Sequence, residues 1–267
     1  MSHVSTDTDK DLLRLAIAQC SIEWENPRAN IEQVESLLAE TDADVLILPE
    51  CVLSGFTMNR EAVVRASAYP AVGELRELAI KYRIALMGSA FVYEADHFYN
   101  RGFLITHEGK TSFQDKRHLF RMAGEAKLFT SKSHRQIFSL YGWRILLSIC
   151  YDIRFPVWCR NVHNEYDLLV NVANWPEPRI HAYKALLEAR AIENLTYVAG
   201  VNRIGHDYSG MNYTGESLVI DYKGKKLVEA QANTPTLTVT SLSKAELHRF
   251  RQKFPAWKDQ DLFSITY

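Results

Sequence analysis

A cysteine at position 150 stands where a predicted strand runs into a turn, and a thiol placed there can act as a nucleophile. The apolar run 145–149 predicts a strand buried on both faces, and Cys150 follows it directly. Pro156 suits the first turn of a helix, which we predict over residues 156–165. A helix N-terminus near the thiol would favour the nucleophilic thiolate. Taken alone, Cys150 could instead be an ordinary buried cysteine.

A nucleophilic thiol needs a base, and charged residues at two other strand ends are candidates. Glu50 ends the apolar segment 45–49, and Lys116 ends the segment 111–115. Because ligands of α/β sheets bind at the carboxyl ends of strands, both side chains could reach one cavity mouth. Lys116 could lower the thiol pKa and hold a developing oxyanion, while Glu50 could carry the proton from the thiol to the leaving amine. Taken singly, each could be a solvated strand-end charge.

The composition is that of a globular protein and gives no sign of a nucleic-acid or membrane partner. The chain has 267 residues, of which 47% are hydrophobic and 24% charged, and its formal net charge is −1. It therefore lacks a basic excess, and it contains no apolar run of about 18 residues and no apolar N-terminal segment. Its four cysteines form no paired metal-binding motif or disulfide framework. We expect a cytoplasmic protein without a metal or other cofactor.

The predicted elements alternate strands with helices and add hairpins, which is typical of mixed sheets covered by helices in an α/β domain. Strands are predicted over residues 13–19, 45–48, 84–89, 101–106, 111–115, 135–140, 143–149, 167–172, 197–202, 216–221, 226–230 and 236–240. Helices are predicted over residues 30–40, 73–82, 156–165, 180–194 and 244–253. No linker divides the chain, so we expect a single domain over residues 11–267 after a loose N-terminal tail, residues 1–10.

Three segments resemble, in order and spacing, the motifs of the nitrilase (carbon-nitrogen hydrolase) superfamily. They are Leu48-Pro49-Glu50, Asp115-Lys116-Arg-His-Leu-Phe120 and Cys150-Tyr-Asp-Ile-Arg-Phe-Pro156. Other segments that look like family landmarks are Ser54-Gly55-Phe56, Tyr99-Asn100, Asn174-Trp175-Pro176 and Arg190-Ala-Ile-Glu193-Asn194. The resemblance implies a four-layer αββα sandwich of two mixed sheets, with chains pairing as a homodimer or higher homo-oligomer. It also implies a Glu50–Lys116–Cys150 triad, and Glu125 matches a second glutamate that many members place beside it.

Within the superfamily, segments 54–59 and 116–122 look most like the bacterial omega-amidases. That branch hydrolyses the terminal amide of small 2-oxo acids such as 2-oxoglutaramate and 2-oxosuccinamate. The resemblance then implies that Cys150 attacks the amide carbon, while Lys116 and the backbone N–H of Tyr151 stabilise the oxyanion. Glu50 would protonate the departing ammonia and activate water, and Glu125 would position Lys116 or that water.

A substrate with an amide at one end and a carboxylate at the other needs a cation in its pocket. Arg154 and Arg121 are the candidates, because a guanidinium binds a carboxylate in bidentate fashion. Arg154 could equally pair with Asp152 and support the turn. Trp175, at the end of a predicted strand, could form a wall of the pocket or belong to the core.

Two rival functions stay open at this point. A nitrilase or an N-carbamoyl amidohydrolase would use the same triad. A non-catalytic binding scaffold would keep the sandwich without turnover, although the intact Glu50, Lys116 and Cys150 argue against it.

Overall fold

The structure, a computed structural model, describes residues 9–68, 71–261 and 263–264, and strands and helices make up most of this part of the chain. The strands are β1 Leu12–Gln19, β2 Val45–Ile47, β3 Ala85–Glu94, β4 His97–Ile105, β5 Thr111–Asp115, β6 Ile137–Leu140, β7 Trp143–Ile149, β8 Leu168–Ala173, β9 Tyr197–Asn202, β10 Ile204–His206, β11 Asn212–Thr214, β12 Leu218–Ile220, β13 Lys226–Glu229 and β14 Thr236–Ser243. The helices are α1 Pro27–Ala39, α2 Arg60–Ala68, α3 Ala71–Tyr82, α4 Glu125–Leu128, α5 Ile180–Asn194 and α6 Lys244–Lys253.

Twelve of the strands form two six-stranded mixed sheets. The strand order is β14-β1-β2-β3-β4-β5 in the first sheet and β13-β12-β9-β8-β7-β6 in the second. Each sheet has a parallel centre, β1-β2-β3 and β7-β8-β9, with antiparallel strands on both sides. The remaining strands, β10 and β11, pair as a separate hairpin.

The two sheets face each other across a shared apolar core. Side chains such as Leu15 and Ile47 from the first sheet pack there with Ile145 and Val170 from the second. Helices α1 and α3 cover the outer face of the first sheet, and α5 covers that of the second. Because the central strands are buried on both faces, they appear in the sequence as continuous apolar runs. The predicted four-layer αββα sandwich is confirmed.

Local signals fix where several helices begin. Asn26 accepts a hydrogen bond from the N–H of Ala29 (3.2 Å), and Pro27 occupies the first turn of α1. Ser243 accepts one from the N–H of Glu246 (3.2 Å) at the start of α6. Helices α5 and α6 have the predicted bounds.

The helix predicted over residues 156–165 is wrong, because turns and a short 3-10 segment, Val162–Asn164, occupy this stretch. The Arg135 guanidinium donates hydrogen bonds to the carbonyl oxygens of Trp158 and Arg160 (both 2.9 Å), which a helix would have used internally. His163 and Asn164 then adopt positive φ angles of 51° and 56°, outside the right-handed helical region.

Helix α2 and the hairpin β10–β11 were not predicted from the sequence. The tail predicted over residues 1–10 falls mostly on residues 1–8, which lie outside the described residues. Lys10 itself is held, since its Nζ lies 2.6 Å from an Asp44 carboxylate oxygen and its N–H donates to the Tyr141 carbonyl (3.0 Å). No helix in the described part of the chain is long and apolar enough to cross a membrane.

Candidate active site

Strand ends from both sheets meet at one cavity of about 460 Å³. Glu50 follows β2 and Lys116 follows β5 in the first sheet, whereas Cys150 follows β7 in the second. All three residues line the cavity, and the side chains of Glu50 and Lys116 are almost completely buried. Because the two sheets face each other, side chains that lie far apart in the sequence meet at this cavity.

The Lys116 ammonium lies between two carboxylates. Its Nζ is 2.9 Å from Oε1 of Glu50 and 3.0 Å from each carboxylate oxygen of Glu125. Asn100, inside β4, donates to Oε1 of Glu50 (2.8 Å) and to Oε1 of Glu125 (3.3 Å). The Phe120 N–H donates to Oε2 of Glu125 (2.5 Å). These contacts hold the cluster rigidly, and they place Glu125 directly beside the predicted triad.

Asn174, which follows β8, connects the two sheets at the site. Its backbone N–H donates to Oε2 of Glu50 (2.8 Å), and its side-chain amide donates to the Glu50 carbonyl (2.7 Å). Its own carbonyl oxygen lies 3.9 Å from Sγ of Cys150. In the sequence, Asn174 stands out only as part of a segment that looks like a family landmark. Its contact with Glu50 spans 124 positions, and no local pattern predicts it.

Cys150 occupies a strained turn. Its φ of 45° is left-handed, a conformation that non-glycine residues keep only where the surrounding structure enforces it. Asp152 provides that enforcement, because one of its oxygens accepts the Ile149 N–H (3.1 Å) and the other accepts the His118 N–H (2.8 Å). The turn Cys150–Arg154 is a 3-10 segment. Hence no α-helix N-terminus follows the thiol, contrary to prediction.

The surroundings of Cys150 oppose the thiolate form that the sequence predicts. Burial raises the pKa of the Cys150 thiol well above its usual value, and the carboxylates of Glu50 and Glu125 outweigh the opposing charge of Lys116. Burial also raises the pKa of Glu125. Burial alone would lower the pKa of Lys116, but the charges of Glu125 and Glu50 together hold it well above normal. The resting site thus combines a neutral thiol with a protonated lysine.

Three of the four predicted substrate-binding residues line the cavity: Tyr151, Arg154 and Trp175. The Arg154 guanidinium lies 5.1 Å above the Trp175 ring and makes no ion pair with Asp152. Trp175 is both a wall of the cavity and a member of the core beneath the second sheet.

Arg121, the fourth predicted substrate-binding residue, requires a correction. It is exposed in the short turn Arg121–Ala123, and only the other two residues of that turn, Met122 and Ala123, line the cavity. A cavity-lining arginine that the sequence analysis missed is Arg179, just before α5. The one feature of the sequence that points to Arg179 as a cavity residue is its position shortly after the segment Asn174-Trp175-Pro176.

The sequence and the fold of this chain match those of known proteins. The family model of carbon-nitrogen hydrolases matches residues 14–252. The chain belongs to the carbon-nitrogen hydrolase family. Its membership is consistent with the fold, since a carbon-nitrogen hydrolase superfamily protein from Xanthomonas campestris superimposes with a TM-score of 0.91 at 37% identity. That match covers 96% of this chain and 100% of the other, whose crystal structure holds an arsenic adduct in its active site.

Two sequence relatives of this carbon-nitrogen hydrolase have named activities. The omega-amidase YafV of Escherichia coli K12 is 41% identical over 254 residues, which is 95% of this chain and 98% of that protein. The 2-oxoglutaramate amidase of Bacillus subtilis is 30% identical over 257 residues, 93% of this chain and 98% of that protein. Both alignments span nearly the full length of this family member.

Proposed function

We propose that this carbon-nitrogen hydrolase is an omega-amidase. It hydrolyses the terminal amide of small 2-oxo acids such as 2-oxoglutaramate and 2-oxosuccinamate, giving the dicarboxylate and ammonia. The observation that carries the proposal is the buried Glu50–Lys116–Glu125 cluster beside Cys150 at the floor of a cavity. The names of the two relatives support the substrate class.

In the first half-reaction, Glu50 accepts the Cys150 proton as the sulfur attacks the amide carbon. Proton transfer during the attack, rather than before it, agrees with the raised pKa of the Cys150 thiol. Because burial keeps that pKa high, the thiolate forms only as the sulfur attacks. Lys116 stabilises the negative charge that develops on the amide oxygen, aided by the backbone N–H of Tyr151. When the carbon–nitrogen bond breaks, Glu50 gives the proton to the nitrogen, and ammonia leaves behind a Cys150 thioester.

In the second half-reaction, Glu50 takes a proton from water while the water oxygen attacks the thioester carbon. The carbon–sulfur bond breaks, and the proton returns to the Cys150 sulfur. Glu125 stays bonded to Lys116 and keeps the ammonium in place through both steps. No cofactor takes part, and within the described residues no cluster of His, Cys, Asp or Glu could hold a metal ion.

We further propose a cytoplasmic homodimer or higher homo-oligomer that binds neither nucleic acid nor membranes. The net charge of −1 and the family resemblance support this proposal. Light scattering of the purified protein tests it, and a monomer at micromolar concentration would contradict it.

The decisive experiment measures ammonia release from 2-oxoglutaramate by the wild type, Cys150→Ala and Cys150→Ser. We expect both variants to lose at least about a thousandfold in rate, because no other group can form the thioester. Cys20→Ala, which alters a buried cysteine that does not line the cavity, is the matched control and should stay active. Unchanged turnover by folded Cys150→Ala would reject the mechanism, and release of CO2 with ammonia from a carbamoyl substrate would favour the carbamoylase instead.

A further inference from the structure

Two arginine side chains line the cavity without an anionic partner. Arg154 lies 5.1 Å above the Trp175 ring, and Arg179 lies 5.2 Å above the Phe120 ring. Neither guanidinium makes an ion pair or a side-chain hydrogen bond with any residue that the structure describes. A half-buried cation that contacts only aromatic faces keeps its donors available for a ligand.

A single tryptophan, Trp175, contacts both arginine residues. The Trp175 ring lies under Arg154, and its indole Nε1–H donates to the carbonyl oxygen of Arg179 (2.8 Å). The Trp175 backbone N–H in turn donates to the Asn202 side chain (2.7 Å), and the indole is only 3% exposed. Trp175 thus contacts the guanidinium of Arg154 and anchors the backbone of Arg179.

The two carboxylates that line the cavity, Glu50 and Asp207, form no ion pair with either arginine. Glu50 is committed to Lys116, Asn100 and Asn174 at the catalytic end. Asp207, in the β10–β11 hairpin, also lines the cavity, but its oxygens accept hydrogen bonds from the backbone and side chain around its own turn. These donors are Ser209 N, Ser209 Oγ, Met211 N and Tyr213 OH. Both guanidinium groups therefore keep their hydrogen-bond donors available to a ligand in the cavity that also holds Cys150.

We infer that Arg179 is a specificity-determining residue that acts with Arg154 as a pair on the 2-oxo acid end of the substrate. This inference rests on the proposed function and assigns the pair a defined task. Together, the two guanidinium groups bind the carboxylate and the neighbouring 2-oxo oxygen, both of which are hydrogen-bond acceptors. A 2-amino group would instead bring an ammonium against two cations. The site therefore selects 2-oxo acid amides and excludes the amino acids glutamine and asparagine.

The test compares Arg179→Met and Arg154→Met with the wild type on 2-oxoglutaramate, glutamine and pentanamide, which lacks the acid end. We expect each variant to raise KM for 2-oxoglutaramate by about tenfold to a hundredfold, because a charged hydrogen bond is lost. Its kcat should change much less, since the reacting atoms are untouched. The preference for 2-oxoglutaramate over pentanamide, measured as the ratio of their kcat/KM values, should therefore fall by about the same factor. Arg28→Met, at an exposed position on α1, is the matched control.

The outcomes separate the two proposals. If wild-type enzyme turns over 2-oxoglutaramate no better than pentanamide, the proposed function fails and the pair loses its ligand. If the wild type prefers 2-oxoglutaramate but Arg179→Met keeps its KM, the function stands and the role of Arg179 is rejected. If the wild-type enzyme hydrolyses glutamine as fast as 2-oxoglutaramate, the proposed selection by Arg154 and Arg179 is also rejected. Arg179→Lys is the control for misfolding of Arg179→Met. It should give an intermediate KM for 2-oxoglutaramate, because lysine keeps the positive charge but lacks the planar fork of the guanidinium group.

Discussion

The balance of charge around Cys150 determines how its thiol reacts. Two carboxylates, Glu50 and Glu125, and one ammonium, Lys116, surround the half-buried Cys150, which lines the cavity. The net negative surroundings and the burial both disfavour a thiolate. A neutral thiol would be protected from adventitious alkylation and oxidation, which act on thiolates. Reactivity would then depend on Glu50 at the moment that a substrate is bound.

We predict that iodoacetamide modifies Cys150 slowly at neutral pH, with no inflection near pH 8.5, where a free cysteine titrates. The raised pKa of Cys150 predicts slow modification at neutral pH, because the thiol is neutral below its pKa and the fraction of thiolate grows only above it. Glu50→Gln removes one negative charge and should shift the rate profile to lower pH. Mass spectrometry at several pH values gives the rates, with Cys150→Ala reporting background from the other cysteines. An inflection at or below pH 8.5 in the wild type would contradict the prediction.

The catalytic candidates could be predicted from the sequence more readily than the residues that support them. Glu50, Lys116 and Cys150 each follow an apolar or alternating run and lie in recognisable motifs. Asn174 and Arg179 could not be assigned roles, because their contacts depend on how distant strands and turns come together. The protonation state of Cys150 was mispredicted for a related reason, since burial is a property of the folded site.

At the scale of elements, Asp152 connects the loop after β5 to the turn after β7. Its Oδ1 accepts the backbone N–H of His118 and also contacts Nδ1 of that histidine (2.8 Å each), while Oδ2 accepts the Ile149 N–H. The His118 ring stacks on Phe155 with ring centroids 3.7 Å apart. The Asp152 carboxylate thus fixes the position of the loop that carries Lys116 relative to the turn that carries Cys150.

We predict that Asp152→Asn lowers kcat for 2-oxoglutaramate by about tenfold or more, because the turn that carries Cys150 and Arg154 is no longer held in place. An amide keeps only one acceptor oxygen, so one of the two loops loses its hydrogen bond. His118→Gln, which leaves the backbone N–H bond intact, should have a smaller effect. Steady-state kinetics and circular dichroism check both variants. Equal kcat values for the wild type and a folded Asp152→Asn would remove Asp152 from the positioning role.

Most elements could be predicted because their apolar patterns arise from burial in the layers. The observed bounds of α5, α6, β5 and β9 are those predicted from the sequence. The failure at residues 156–165 has a tertiary cause, since Arg135 captures carbonyls that lie more than twenty positions away. The hairpin β10–β11 was missed because its strands are only three residues each and carry no clear alternation.

At the scale of the whole molecule, one buried carboxylate joins α6 to the second sheet. Asp167, just before β8, is completely buried and accepts hydrogen bonds from Arg144 (2.6 Å) and from Arg251 of α6 (3.0 Å). Burial alone would raise the pKa of Asp167, but the two guanidinium groups outweigh it and lower that pKa. The carboxylate is therefore charged and stabilising at neutral pH.

We predict that Asp167→Asn lowers the free energy of unfolding by about 3 kcal/mol at pH 7, because two cations lose their buried counter-charge. Since the folded-state pKa of Asp167 lies below its unfolded value near 3.9, this contribution is present above that value and is lost as the pH falls through the lowered pKa. The difference from the wild type should therefore shrink below about pH 4. Urea titrations measure it, with Asp42→Asn at an exposed pair as control. A change under about 0.5 kcal/mol would contradict the prediction.

The division of the site between two sheets has a practical consequence for this protein. Residues 131–134 are exposed and lie between β5 and β6, where the chain passes from the first sheet to the second. A break there would leave Glu50 and Lys116 on one fragment and Cys150 on the other. Among the described strands that follow this segment, only β14, which pairs with β1 along eight residues, returns to the first sheet. The enzyme thus suits fragment complementation, in which ammonia release would signal that two fused binding partners have met.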